Sequence, residues 1–250
     1  MRRIGHTIEA HATIGSTNDR ARALLSAMDA DGRVVVADEQ TAGRGRRGRS
    51  WLSPPGLNLM VSVALRPKLA AREAWQLGMA SALAVANACS SVALVSLKWP
   101  NDLVSADGAK VGGLLIETLF SGERMTGAVV GVGINVNWAR GDMPPEIAAD
   151  ATSLSDLAGV PVDRVALLRN LLESIEAEIS AIETGESPLD RYRAACTTLG
   201  ELVTVATPDG SLLGRAVDLD ATGALIVEAH DGRHVVASGE VVRVRRQVSA

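Results

Sequence analysis

The stretch Thr41-Ala42-Gly43-Arg44-Gly45-Arg46-Arg47-Gly48-Arg49-Ser50-Trp51 decides which fold this chain adopts, because it admits three incompatible readings. Gly43, Gly45 and Gly48 match the G-x-G-x-x-G fingerprint of dinucleotide-binding folds, with Val34-Val35-Val36 as the preceding strand. A Rossmann turn must open directly into a helix, and here Ser53-Pro54-Pro55-Gly56 follows instead. The second reading is a basic arm for nucleic acid. The third is an active-site loop whose glycine N–H groups approach phosphate oxygens while guanidinium forks supply paired, charge-assisted hydrogen bonds. Like charges this close repel and the glycines free the backbone, so a mobile loop that orders around an anion is expected.

The whole chain argues against the second reading. Its 250 residues carry a net charge of −4, whereas non-specific phosphate affinity needs a basic surface. Hydrophobic residues make up 47%, which fits one sizeable core with a smaller satellite domain. Cys89 and Cys196 lie far apart in helix-like apolar sequence and are expected as reduced thiols, which suits a cytoplasm. The basic start Met1-Arg2-Arg3 has no apolar run behind it, and no segment approaches the roughly 20 apolar residues of a membrane span. His6, His11, His230 and His234 show no metal-ligand spacing, so no metal site is expected.

Outward from the loop, residues 33–40 form a strand that delivers Gln40 to its edge, and Ser16-Thr17-Asn18-Asp19 caps a helix with Ala21, Leu24, Leu25 and Met28 at helical spacing up to Gly32. Downstream come a strand over 57–65, a buried helix over 71–91 and a short strand over 94–99 that ends at Pro100, leaving Lys98, Asn101 and Asp102 at its terminus. A turn at Ala106-Asp107-Gly108-Ala109 leads into a strand from Lys110. Gly112 and Gly113 inside it, with Gly131 and Gly133 in the next run over 128–136, point to a slot with backbone walls. Asn135 and Asn137 share a face there and serve either a nucleotide or the strand end. Residues 152–157 make at most a short helix. A long helix follows Asp163, with Val165, Leu168, Leu172, Ile175, Ile179 and Ile182 as its stripe and Gly185 beyond its end. Another helix spans 188–198. From Glu201 the pattern changes to five short runs, 202–206, 212–219, 224–229, 234–237 and 241–244, with turns at Pro208-Asp209-Gly210, Ala221-Thr222-Gly223 and His230-Asp231-Gly232.

Gln40 through Trp51, taken with Lys98-Trp99-Pro100-Asn101-Asp102, Lys110-Val111-Gly112-Gly113-Leu114-Leu115-Ile116-Glu117 and Gly131-Val132-Gly133-Ile134-Asn135-Val136-Asn137, resembles the biotin protein ligases. The blocks fall in that family's order over nearly the whole chain. The resemblance implies an α+β fold: a mixed β-sheet catalytic domain packed with helices over 1–199, then a small SH3-like β-barrel domain over 200–250. It implies adenylation of biotin by ATP with Mg²⁺, followed by transfer to a lysine of the biotin carboxyl carrier domain of an acyl-CoA carboxylase. Both nucleophiles belong to substrates, so no serine or cysteine triad is needed.

By the same resemblance Lys110, Arg46 and Asp102 carry the catalysis, through charge stabilisation and alignment. Biotin falls to Ser16, Thr17, Asn18, Gln40, Gly43, Arg44, Lys110, Gly113, Leu115, Gly131 and Gly133. ATP falls to Arg46, Arg47, Arg49, Trp51, Lys98, Asn101, Ile134 and Asn135, with Trp51 offering a face to adenine and Asn101 and Asp102 on the Mg²⁺ side. Some members carry an N-terminal DNA-binding domain. Here Ser16-Thr17-Asn18 arrives almost at once, so a ligase without DNA binding is expected. The loop edge and neighbouring strands are open to pairing between subunits as a homodimer. Two competitors stay open: a lipoate ligase or octanoyltransferase on the same fold, and a nucleic-acid binder using the arginine loop.

Overall fold

The computed structural model describes residues 3–207, 210–237 and 239–243. Its first sheet has seven strands: β1 (Ile8–Ile14), β2 (Val34–Gln40), β3 (Leu59–Leu65), β4 (Ser96–Lys98), β5 (Asp102–Val104), β6 (Lys110–Ser121) and β7 (Arg124–Ile134). Their order is β1-β2-β3-β7-β6-β5-β4, with β1 and β2 parallel and the remaining pairs antiparallel.

β3 is buried along its whole length because both faces of the sheet are covered. On one face lies α1 (Thr17–Leu24), whose Ala21 and Leu24 pack on Val35, Ala64 and Val129. On the other lie α2 (Trp75–Cys89), α5 (Arg164–Glu183) and α6 (Leu189–Ala195), which form the main core with Val61, Val63, Val130 and Val132. The short helices α3 (Pro145–Ala148) and α4 (Leu154–Ala158) follow β7, and Ala148 with Ile147 of α3 packs on a small separate cluster of Trp138, Met143 and Ala151. Asp163 caps α5 by accepting from the N–H groups of Val165 and Ala166.

Three local expectations change. α1 stops at Leu24 instead of running to Gly32, because the Arg66 guanidinium takes the carbonyls of Leu25, Ala27 and Met28 and holds them in a turn. Val165 is 67% exposed, and the buried stripe of α5 is Leu167, Leu171, Leu172, Ile175, Ile179 and Ile182. Asn135 and Asn137 both lie beyond the end of β7.

The last five strands, β8 (Leu202–Thr207), β9 (Gly210–Leu219), β10 (Leu225–Ala229), β11 (Gly232–Val236) and β12 (Glu240–Arg243), form an antiparallel sheet ordered β11-β10-β9-β8-β12. Among the described residues β11 and β12 do not pair, so the expected barrel is an open five-stranded sheet here. Pro208 and Asp209 of one expected turn, and Val244 of the last expected strand, lie outside the described residues. Val203, Leu219 and Leu225 of this sheet join the main core, so the two sheets share one apolar interior.

Candidate active site

A cavity of about 1340 Å³ opens on the α1 face of the first sheet and extends to the second sheet. β7 supplies its ruler. Side chains alternate along a strand, so Gly131 and Gly133 face the cavity while Val130, Val132 and Ile134 face the helices. Residues two apart on a strand lie about 7 Å from one another, which divides the floor into stations.

At Gly131 a β-carbon would lie 2.1 Å from Asn18 Oδ1, so only glycine lets that amide reach the floor. Asn18 donates from Nδ2 to the Leu115 carbonyl (3.3 Å) and to Glu117 Oε1 (3.2 Å). Thr17 donates from its N–H and its hydroxyl to Gln40 Oε1, at 2.8 and 3.0 Å. Ser16 caps α1 and also lines the cavity.

At Gly133 a β-carbon would strike the Trp51 ring at 2.7 Å. That ring lies beside Lys110, whose Nζ is 5.7 Å from its centroid and forms a 2.6 Å ion pair with Asp102. Gly113, paired with Gly133 across the sheet, leaves room for the ends of Lys110 and Asp102, and Gly112 backs directly onto the Gly133 carbonyl. The glycine slot is therefore filled by the site's own side chains. Beyond β7, Asn135 donates to the Thr152 carbonyl (3.1 Å), and Trp138, Ile147, Asp150 and Ala151 line that end of the cavity.

The arginine loop has a defined set of internal contacts. Arg44 bridges to Ser50, Gly45 donates to the Arg49 carbonyl (2.7 Å), and Arg46–Gly48 make a single 3₁₀ turn. Carboxylates and carbonyls of the protein supply the counter-groups. Arg44 holds both Asp19 oxygens (2.8 and 2.5 Å), Arg49 pairs with Glu240 of β12, and Arg47 donates to the Ala206 carbonyl of β8 (3.3 Å). Arg46 is the least exposed of the four. It donates to Asn101 Oδ1 (3.1 Å), but among the described residues no carboxylate is within ion-pair distance of it. Burial, with repulsion from Arg47, pushes its pKa down, against the opposing pull of Asp102.

The cavity lining thus brings together Ser16, Thr17, Asn18, Gln40, Arg44, Arg46, Arg47, Arg49, Trp51, Lys98, Asn101, Asp102, Lys110, Gly113, Leu115, Gly131, Gly133 and Asn135. It leaves out two expected residues. Ile134 is 1% exposed in the main core, on the opposite face from Gly133, as the alternation requires. Gly43 forms the neck of the loop: Trp51 donates to its carbonyl (2.9 Å), and a β-carbon there would lie 2.6 Å from the Trp51 carbonyl oxygen. Asn137 is also away from the lining; it exchanges two hydrogen bonds with the backbone of Val162 (2.9 and 2.8 Å).

Several residues in or behind this wall gave little sequence signal. Leu202, Arg215, Glu240 and Val241 arrive from the second sheet, which only tertiary packing brings close. Ser62 sits behind Thr17 and Asn18, fully buried; as the lone polar residue of an otherwise apolar strand it was detectable.

Residues 11–135 match the Biotin/lipoate A/B protein ligase family, and residues 198–244 match the Biotin protein ligase C terminal domain. The biotin--[acetyl-CoA-carboxylase] ligase of Mycobacterium tuberculosis is 37% identical over 243 residues, covering 94% of this chain and 88% of that protein. The corresponding ligase of Paracoccus denitrificans is 34% identical, covering 92% of this chain and 98% of its own length. Among solved structures, the biotin protein ligase from Aquifex aeolicus in complex with biotin and ATP superposes with a TM-score of 0.80 at 30% identity, over 96% of this chain and 99% of that one. With both family matches lying in chain order and both ends of the molecule covered, this chain belongs to the biotin protein ligase family.

Proposed function

We propose that this ligase activates biotin as biotinyl-5′-AMP and then transfers the biotinyl group to a lysine of a biotin carboxyl carrier domain. In the first step a biotin carboxylate oxygen attacks the α-phosphorus of ATP, the bond to the β-phosphate oxygen breaks, and pyrophosphate leaves with the electron pair. In the second the carrier amine attacks the acyl carbonyl, the acyl–phosphate bond breaks, AMP departs, and the amine proton passes to solvent.

The observation that carries this reading is the Lys110–Asp102 pair at the middle station of the floor. On one side lies the hydroxyl–amide cluster of Thr17, Asn18 and Gln40, suited to a ureido ring. On the other lie Asn135, Trp138 and Ile147, suited to a nucleoside. A bound acid spanning the first two stations would set its carboxylate under Lys110 and Arg46. There the two cations neutralise charge that builds up at the α-phosphate, and the absence of a carboxylate on Arg46 keeps it available. Asp102 orients the Lys110 ammonium. Lys98, Arg47 and Arg49 also line the cavity and would meet the outgoing phosphates.

Mg²⁺ enters as part of the nucleotide substrate. Asp102 pairs with Lys110 and Asn101 Oδ1 accepts from Arg46, so phosphate oxygens and water would supply most of the ion's ligands. The first sheet and its helices would carry the chemistry, and the second sheet would close the phosphate end.

The test is incubation with biotin, ATP and Mg²⁺ and detection of biotinyl-AMP by mass spectrometry, alongside Lys110→Ala. The expected result is adenylate from the parent protein and a loss of about a hundredfold or more in the variant, which retains its fold. Undiminished pyrophosphate release by Lys110→Ala would overturn the role of Lys110, and no adenylate from the parent protein would overturn the function.

A further inference from the structure

Behind the Thr17–Asn18 end of the cavity, the fully buried hydroxyl of Ser62 lies 2.6 Å from Asn18 Oδ1 and 2.8 Å from Thr17 Oγ1. Thr17 Oγ1 in turn lies 3.0 Å from Gln40 Oε1. Three oxygen–oxygen contacts therefore share the two protons of two hydroxyls. The amides cannot supply another. Asn18 Nδ2 is turned away to Leu115 and Glu117, and Gln40 Oε1 is held towards Thr17 by the Thr17 backbone N–H at 2.8 Å. Ser62 has one proton for two oxygens, so one of Asn18 Oδ1 and Thr17 Oγ1 lacks a donor from within this cluster.

We propose that Ser62 is a positioning residue that sets the hydrogen-bond polarity of this end. By donating to Asn18 or Thr17 it holds their oxygens where their free lone pairs meet a ligand N–H. A head group that brings an N–H supplies the missing donor; one that brings none leaves facing lone pairs in a buried cluster. That chemistry selects a cyclic ureido ring over the dithiolane of a lipoyl group or the alkyl chain of an octanoyl group. Ser62 is absent from the cavity lining and acts only through Thr17 and Asn18. The inference rests on the biotin-activating reading above and deepens it by naming what fixes the specificity.

The test is a coupling measurement. Adenylate formation is followed for the parent protein and for Ser62→Ala with biotin and with biotins methylated on one or the other ureido nitrogen. For biotin, Ser62→Ala should raise KM about tenfold with kcat within about twofold, since Lys110 and Arg46 are untouched. For the methylated biotin whose blocked nitrogen faces this end, the same substitution should raise KM less than about twofold, because no N–H bond remains for Ser62 to orient. A purely structural role would raise KM by the same factor for all ligands, and that result overturns the proposal, as does an unchanged KM for biotin. Ser62→Cys keeps the volume and a weak donor; it should fall between the two, and it serves if the alanine variant does not fold. Failure of the parent protein to use biotin at all would strike the functional reading instead.

Discussion

Gly131 and Cys89 show how much one position determines. A β-carbon at Gly131 would occupy the space of Asn18 Oδ1, and Asn18 is held on its other side by Leu115 and Glu117. Gly131→Ala must therefore expel the amide from the head-group end. Calorimetry should show biotin affinity reduced about tenfold or more, roughly the worth of one buried hydrogen bond, with nucleotide affinity retained. Cys89 is fully buried in the main core, and burial pushes its thiol from 9.0 up to about 12. Mass-labelling with an alkylating reagent at pH 8 should leave it unmodified in the native protein and modify it in denaturant. The sign of the linkage follows. Between about pH 9 and 12 the unfolded chain ionises this thiol and the folded chain does not, so this group's contribution to stability is complete below pH 9 and declines as pH rises through that window. Denaturant midpoints measured across the window should fall.

At the scale of elements, the arginine loop and the end of β7 show what the sequence readings left open. Four arginines close together suggested a segment that waits for an anion, yet three of them find carbonyls or carboxylates on α1, β8 and β12. The loop is built because elements distant in sequence deliver those groups, and no local pattern announces Asp19 or Glu240 as partners. The end of β7 makes the same point. Asn135 and Asn137 were equally placed for a nucleotide or for the strand end, and Asn137 serves the second purpose by its two bonds to Val162. Asn137→Ala should lower stability by about 1–3 kcal/mol in chemical denaturation while adenylate formation by the folded fraction continues. Loss of adenylation with unchanged stability would return Asn137 to the nucleotide.

Across the whole molecule, the second sheet is joined to the first by more than a linker. Val203, Leu219 and Leu225 share the main core with Leu77 of α2 and Leu97 of β4. Trp99 ties the active-site turn to the second sheet's side, donating its indole N–H to the Gly223 carbonyl (3.1 Å) and its backbone N–H to the Thr198 hydroxyl oxygen (2.9 Å). A boundary at residue 200 therefore divides two sheets but cuts through one interior. Thermal unfolding followed by tryptophan fluorescence and by far-UV circular dichroism should give coincident single transitions, and two separated transitions would mean that the shared core does not couple the sheets. Among the described residues no helix is long and apolar enough to cross a membrane.

The sequence by itself determined most of the strand and helix order, though not the three-residue β5 or the single turn of α3, together with the family motifs and the glycines at which the floor of the cavity had to be bare, because periodicity and the missing β-carbon are local properties of the chain. Tertiary structure alone decided that Asn18, Trp51 and Lys110 fill those bare positions and that Ile134 turns away. It also decided that Ser62 stands behind the head-group end and that, among the described residues, Arg46 and Arg47 are left without a carboxylate while Arg44 and Arg49 are paired. Those outcomes depend on which distant elements are brought within a few ångströms, and hydrogen bonds and ion pairs act only at that range.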